Sequence, residues 1–158
     1  MTYEELINEC TDSGIDVVEK AFKSNAHALI KGNKIAIRKD IPTLCEKSCV
    51  LVEEMGHHKL TVGDITNINI IENYKQELKA RMWGYDKKIG LVGIINAYEA
   101  RCTNLHEAAQ FLDVPEAYLR EAIESYRRKY GIYKKIDNYI IYFEPCLGVL
   151  ELFENKTS

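Results

Sequence analysis

The chain has 158 residues, 46% of them hydrophobic and 28% charged, which is the composition of a soluble globular protein long enough to bury a real core. A formal net charge of -3 gives no global reason to expect nucleic acid as the main partner, and no apolar run reaches membrane-spanning length. The opening MTYEELINEC carries glutamates and no basic run, unlike a secretory signal. Cysteines at 10, 45, 49, 102 and 146 are odd in number and lack paired C-x-x-C spacing, so reduced thiols in a cytoplasmic protein are the simplest expectation.

Thr2 and Glu5 have capping-box spacing and open a helix over about Tyr3 to Asp12, with Ile7 on its apolar face and Gly14 as a stop. The period then changes. Leu29 and Lys31 before Gly32-Asn33, with Ile35, Ile37 and Arg38 after it, predict a β-hairpin. Thr43, just after Pro42, is placed to cap a long helix running to about Leu60, with Val50, Leu51 and Met55 on its apolar faces. Gly56 in its middle costs about 1 kcal/mol relative to alanine, which points to close approach by another element. Gly63 falls in the loop beyond.

A third helix is expected over 71–89, with Tyr74, Leu78 and Met82 as its seam, and a fourth over LVGIINAYEA, led by Leu91, Ile94, Ile95 and Tyr98. Two helices separated by a tight turn follow. Asn104 with Glu107 caps the first, and Asp113 with Glu116, with Pro115 inside the first turn, opens the second. Leu105, Ala108, Ala109 and Leu112 are expected to face Leu119, Ala122, Ile123 and Tyr126. IYKKIDNYIIYFEP then reads as a hairpin turning at Asp137-Asn138. The pattern is α+β: a small sheet with a long functional helix over residues 1–90, then a helix-turn-helix-like part with a C-terminal hairpin over 91–158.

The chemistry concentrates in LVEEMGHHKL, residues 51–60. The zinc-protease pattern is H-E-x-x-H, and Glu53 to His57 read E-E-x-x-H. Residues four apart on an α-helix share a face about 6 Å apart along the axis, so Glu53 and His57 can reach a single divalent ion. Glu54 is rotated by about 100° from Glu53, the offset that lets a carboxylate serve as base without ligating. Two glutamates on a helix are also common as solvated charges, and these ten residues do not decide between the readings. Glu54 and His58 are likewise four apart, an alternative register in which they would be the ligand pair; the Glu53/His57 register leaves Glu54 as base and His58 to hydrogen-bond around the ligands.

Further features bear on the choice. The strand KIAIRKDI precedes the helix, the layout zinc proteases use to lay a peptide beside the metal, and KQELKARMWGY offers Glu77 as a third ligand, sharing a face with Arg81 and the small Ala80. Cys49 lies about 12 Å along the axis from His57, too far to share an ion, so Cys45 and Cys49 are expected to be buried; His27 and His106 are isolated and read as structural or surface residues.

Together VLVEEMGHHKLTVGDI, KQELKARMWGY and NLHEAAQFLDVPEAYLREAIESYRRKYG resemble the ImmA/IrrE family of metallo-endopeptidases, in its phage and mobile-element branch, over about Ala26 to Gly131. The resemblance implies a zincin-like fold for the first part and a zinc protease that cleaves a transcriptional repressor of the helix-turn-helix class. By it, Glu54 matches the general base, His57 the second histidine ligand, and Glu77 the acidic ligand of an E-x-x-A-x-x-aromatic segment. Glu53 stands where the family has its first histidine. Carboxylate ligates zinc well at about 2.0–2.2 Å, but two carboxylates and one imidazole leave the ion formally neutral, so the site is less selective against harder ions such as Mn2+. A second expectation is therefore a non-catalytic regulator on a decayed scaffold. DNA is not the expected partner: Glu116, Glu121 and Glu124 accompany Arg120, Arg127, Arg128 and Lys129 on the candidate recognition helix, and carboxylates oppose phosphate contacts.

Overall fold

The structure, a computed structural model, describes residues 1–60 and 70–153. The loop expected at Gly63 lies outside the described residues. The chain is α+β and divides into two compact units, Met1–Lys88 and Ile89–Ser158. Among the described residues no helix is long and apolar enough to cross a membrane.

In the first unit, α1 spans Tyr3–Asp12 behind the capping box read from the sequence: Thr2 Oγ1 accepts from the Glu5 amide at 3.3 Å and Glu5 Oε2 accepts from the Thr2 amide at 2.7 Å. Its inner face is Tyr3, Leu6 and Cys10, while the expected Ile7 packs at the margin of the core. Three strands follow: β1 (Asp16–Lys20), β2 (Ala28–Lys31) and β3 (Lys34–Arg38), in sheet order β1-β3-β2. The expected hairpin is β2–β3, antiparallel across Gly32-Asn33 with Ile30 opposite Ile35. β1 was not expected; it pairs parallel with β3, and such a long-range pairing leaves no local turn signal in the sequence. Ile35 and Ile37 alternate inward from β3 and are fully buried with Leu6, Leu51 and Val52.

Helix α2 (Leu44–Leu60) begins where Thr43 Oγ1 accepts from the Glu46 amide at 3.1 Å. It presents Leu51, Val52 and Met55 to the sheet and α1 side, and packs along α3 (Ile70–Lys88). The seam of α3 differs from the expected Tyr74, Leu78 and Met82. Tyr74 and Leu78 are exposed, and the buried positions are Ala80, Gly84, Tyr85 and Lys88. At the close crossing itself the small Ala80 faces Gly56 of α2, and Tyr74 and Leu78 are turned away. The end of α3 is tied to α1 by Lys87 Nζ on Glu9 Oε1 (2.7 Å) and by Lys88 Nζ on the Met1 carbonyl (2.7 Å).

The second unit comprises α4 (Gly90–Glu99), α5 (Leu105–Leu112), α6 (Glu116–Tyr130) and an antiparallel sheet of β4 (Tyr133–Ile136), β5 (Tyr139–Tyr142) and β6 (Gly148–Glu151). Asn104 caps α5 by accepting from the Glu107 amide at 2.8 Å. Asp113 does not open α6 as expected. It closes α5 in a left-handed conformation (φ 54°, ψ 51°), which a short polar side chain tolerates, and Pro115 is the N-cap of α6. Ala108 and Ala109 of α5 and Leu119, Ala122 and Tyr126 of α6 are buried, with Ile94 and Ile95 of α4 also buried. On α4, the expected Tyr98 is exposed and Ala97 is buried instead. The hairpin turns at Asp137-Asn138 as expected, and β6 adds a strand that its short GVLE sequence did not announce.

Candidate metal centre

The site forms where α2 crosses α3. Two helices can approach only as closely as their side chains allow, and here both contribute small ones. A Cβ on Gly56 would lie 2.6 Å from the Ala80 carbonyl oxygen, well inside any tolerated contact, and Ala80 is fully buried. The close approach anticipated from Gly56 is therefore made by Ala80, one turn beyond Glu77.

At this spacing Glu53, His57 and Glu77 converge. One ligand-capable atom from each lies within 4.8 Å of the others. His57 Nε2 and Glu77 Oε2 are 3.1 Å apart. Atoms sharing a tetrahedral zinc ion at about 2.1 Å are about 3.4 Å apart, a spacing comparable to that of this set. The donor chemistry also fits: two carboxylates and an imidazole suit zinc and its neighbours. Among the described residues these three form the group able to hold a metal ion, so the Glu54/His58 register is not the one that gathers a third ligand.

Arg81, one turn after Glu77, is a fourth member of the cluster. Its Nε lies 3.6 Å from Glu53 Oε1 and 3.7 Å from Glu77 Oε1. Burial pushes the Glu53 carboxyl up from its ordinary range, the hydrogen bond with Glu77 adds to this, and Arg81 opposes it. Glu54 is also raised, chiefly by burial, with His57 pulling it down and Glu77 pushing it up. A carboxyl of raised basicity is a better proton acceptor than an exposed one.

The cluster opens onto a cleft of about 700 Å³ whose walls include Glu53, Glu54, His57 and Glu77 on one side and Ala28, Leu29 and Ile30 of β2 on the other. The sequence suggested that KIAIRKDI would flank the site. β3, which lies within it, is the middle strand, with both edges already paired, and the strand beside the site is β2 at the sheet's edge. Leu29 and Ile30 are exposed there. His58 also lines the cleft, and its Nε2 hydrogen-bonds Asn33 Oδ1 at 3.0 Å in the β2–β3 turn. The Gly-Asn turn was visible in the sequence, but its role in holding a histidine of α2 was not. Cys49 is buried and Cys45 partly so. His27 is not among the cleft residues, and His106 lies exposed in the second unit, 3.7 Å from Glu116 Oε2.

In the second unit the three arginines of α6 are engaged with acids. Arg120 pairs with Glu116 at 2.7 Å, Arg127 with Glu124 and with Glu144 at 2.8 Å, and Arg128 lies 3.6 Å from Glu124. Comparison with protein-family models, with curated proteins and with solved structures gave no match to this chain.

Proposed function

We propose that the chain is a zinc-dependent endopeptidase of the ImmA/IrrE type with a zincin-like first unit, acting in the cytoplasm on a transcriptional repressor of the helix-turn-helix class from a phage or mobile element. The observation that carries this reading is the convergence of Glu53, His57 and Glu77 from two helices onto one point, with the carboxyl of Glu54 on the same cleft. The three ligands would hold the ion, whose chemistry when bound is to polarise the scissile carbonyl and the attacking water. Glu54 takes the proton of that water and, once protonated, passes a proton to the leaving amine. Exposed Leu29 and Ile30 on edge strand β2 suit an extended peptide added to the sheet alongside the ligands, with backbone hydrogen bonds giving register and side-chain contacts giving selectivity.

A second reading is a regulator that binds the repressor without cutting it. It is favoured by Arg81, whose pairing with both carboxylates gives them a partner independent of any ion. DNA is a poor partner on either reading, since the arginines of α6 are neutralised by neighbouring carboxylates.

Incubation of the zinc-loaded protein with the repressor encoded on the same element separates the two. The enzyme reading expects discrete cleavage that Glu54→Gln suppresses by about 10²–10⁴-fold with zinc content intact, the range for a lost general base. Repressor relief undiminished by Glu54→Gln would establish binding as the function.

A further inference from the structure

The three candidate ligands leave one charged side chain of the cluster unassigned. Arg81 is half exposed. Its contacts are selective at the level of single atoms. It faces Oε1 of Glu77, whereas Oε2 of the same carboxylate faces His57 Nε2 at 3.1 Å. It also faces Oε1 of Glu53. One oxygen of each carboxylate thus faces the Arg81 guanidinium, and the second oxygen of Glu77 faces His57.

That division matters because ions differ in how many oxygens they take. Zinc is satisfied by four ligands, and here would take one atom from each of Glu53, His57 and Glu77 plus one from solvent or substrate. Manganese and calcium take six or more ligands, mostly oxygens, and calcium readily accepts a carboxylate through both atoms. A Glu-Glu-His set whose carboxylates were free to bind through both oxygens would offer up to five protein atoms and suit the harder ions. Charge points the same way. Two carboxylates cancel a divalent ion, and the positive charge of Arg81 beside them returns the net +1 that two imidazoles and one carboxylate would leave.

We propose that Arg81 determines the metal selectivity of this site, holding Glu53 and Glu77 to one ligating oxygen each and so favouring four-coordinate zinc over manganese and calcium. Arg81 is a positioning residue in this account. The inference rests on the metal-binding reading above and assigns a cause to its selectivity: the carboxylate at position 53 is tolerated in a zinc site because a guanidinium restrains it.

The test is competition with a chromophoric chelator for Zn2+, Mn2+ and Ca2+, on the full chain and on Arg81→Met and Arg81→Gln, with Co2+ as a spectroscopic probe. The expected result is that the ratio of zinc to manganese affinity falls by about tenfold or more in both variants, the scale of effect for groups that orient metal ligands. The visible bands of bound Co2+ should be intense in the unmodified protein, as for four-coordination, and weaken in the variants as coordination rises. Because the ratio is taken within each variant, a loss of folded protein lowers every ion alike and does not mimic the effect. An unchanged ratio with an unchanged Co2+ spectrum, or equal losses for all ions, would overturn the role of Arg81 while leaving the site standing. Failure of the unmodified protein to bind any of the ions would overturn the site itself, and the inference with it.

Discussion

Gly56 of α2 and Ala80 of α3 meet without room for a methyl group between them: a Cβ at position 56 would stand 2.6 Å from the Ala80 carbonyl oxygen and 3.2 Å from its Cα. Glu53 and His57 lie on the α2 side of this crossing, and Glu77 and Arg81 lie on the α3 side. The contact therefore sets the distance across which the candidate ligands must cooperate.

Gly56→Ala should accordingly do two things at once. The added methyl meets backbone, which cannot rotate away, and overpacking of this kind costs about 1–3 kcal/mol. Replacing a mid-helix glycine returns about 1 kcal/mol of helix propensity. The net expectation is a modest loss of stability in urea denaturation, together with a larger loss of zinc affinity in chelator competition as α3 is pushed outward. Stability and affinity both unchanged would show that the crossing does not govern the site.

A separate prediction concerns the first unit's response to acid. Glu19 on β1 receives Lys47 Nζ at 3.0 Å and the Tyr3 hydroxyl at 3.1 Å, and the hydrogen bond from Lys47, with that from Tyr3 and the charge of Lys47 adding to it, holds its carboxyl below its ordinary value of 4.5. A carboxyl depressed in the folded state binds fewer protons there than in the unfolded chain, so its contribution is complete above 4.5 and is lost as pH falls through the lower, folded value. Glu19 is partly open to solvent, which confines the charge contribution to about 1 kcal/mol or less. Glu19→Gln should be destabilised by up to that amount at pH 7 and should converge on the parent protein as pH falls below 4.5. Thermal melts across pH 3–7 would show the convergence; a gap independent of pH would mean that packing, not charge, sets the cost.

The parts of this picture that were legible in the sequence are those written locally. The Thr2/Glu5 capping box, the Gly32-Asn33 and Asp137-Asn138 turns, and the Asn104 cap all depend on residues within a few positions of one another. So does the i, i+4 relation of Glu53 and His57. The tight packing at Gly56 was legible because glycine in a helix calls for a reason. What escaped depended on pairing partners that the local pattern does not announce. β1 exists by pairing with β3, and β6 by pairing with β5. The outward turn of Tyr74 and Leu78 accompanies the contact of Ala80 with Gly56 at the crossing, where a small residue faces α2. At the site, Glu77 was expected from the face it shares with Ala80 and Arg81 and from the resemblance of its E-x-x-A-x-x-aromatic segment, whereas the contacts of Arg81 with two carboxylates and of His58 with Asn33 required the folded arrangement.

The central claim is that α2 and α3 together hold a metal ion, and metal stoichiometry measures it most directly. Protein purified without a histidine tag or added metal, stripped with chelator and titrated with Zn2+ under native mass spectrometry, should take up a single zinc ion per chain. His57→Ala and Glu77→Gln should each lose that ion while keeping the parent's secondary structure by circular dichroism. Absence of zinc uptake by the parent protein, or retention of the ion at parent affinity by both variants, would contradict the account.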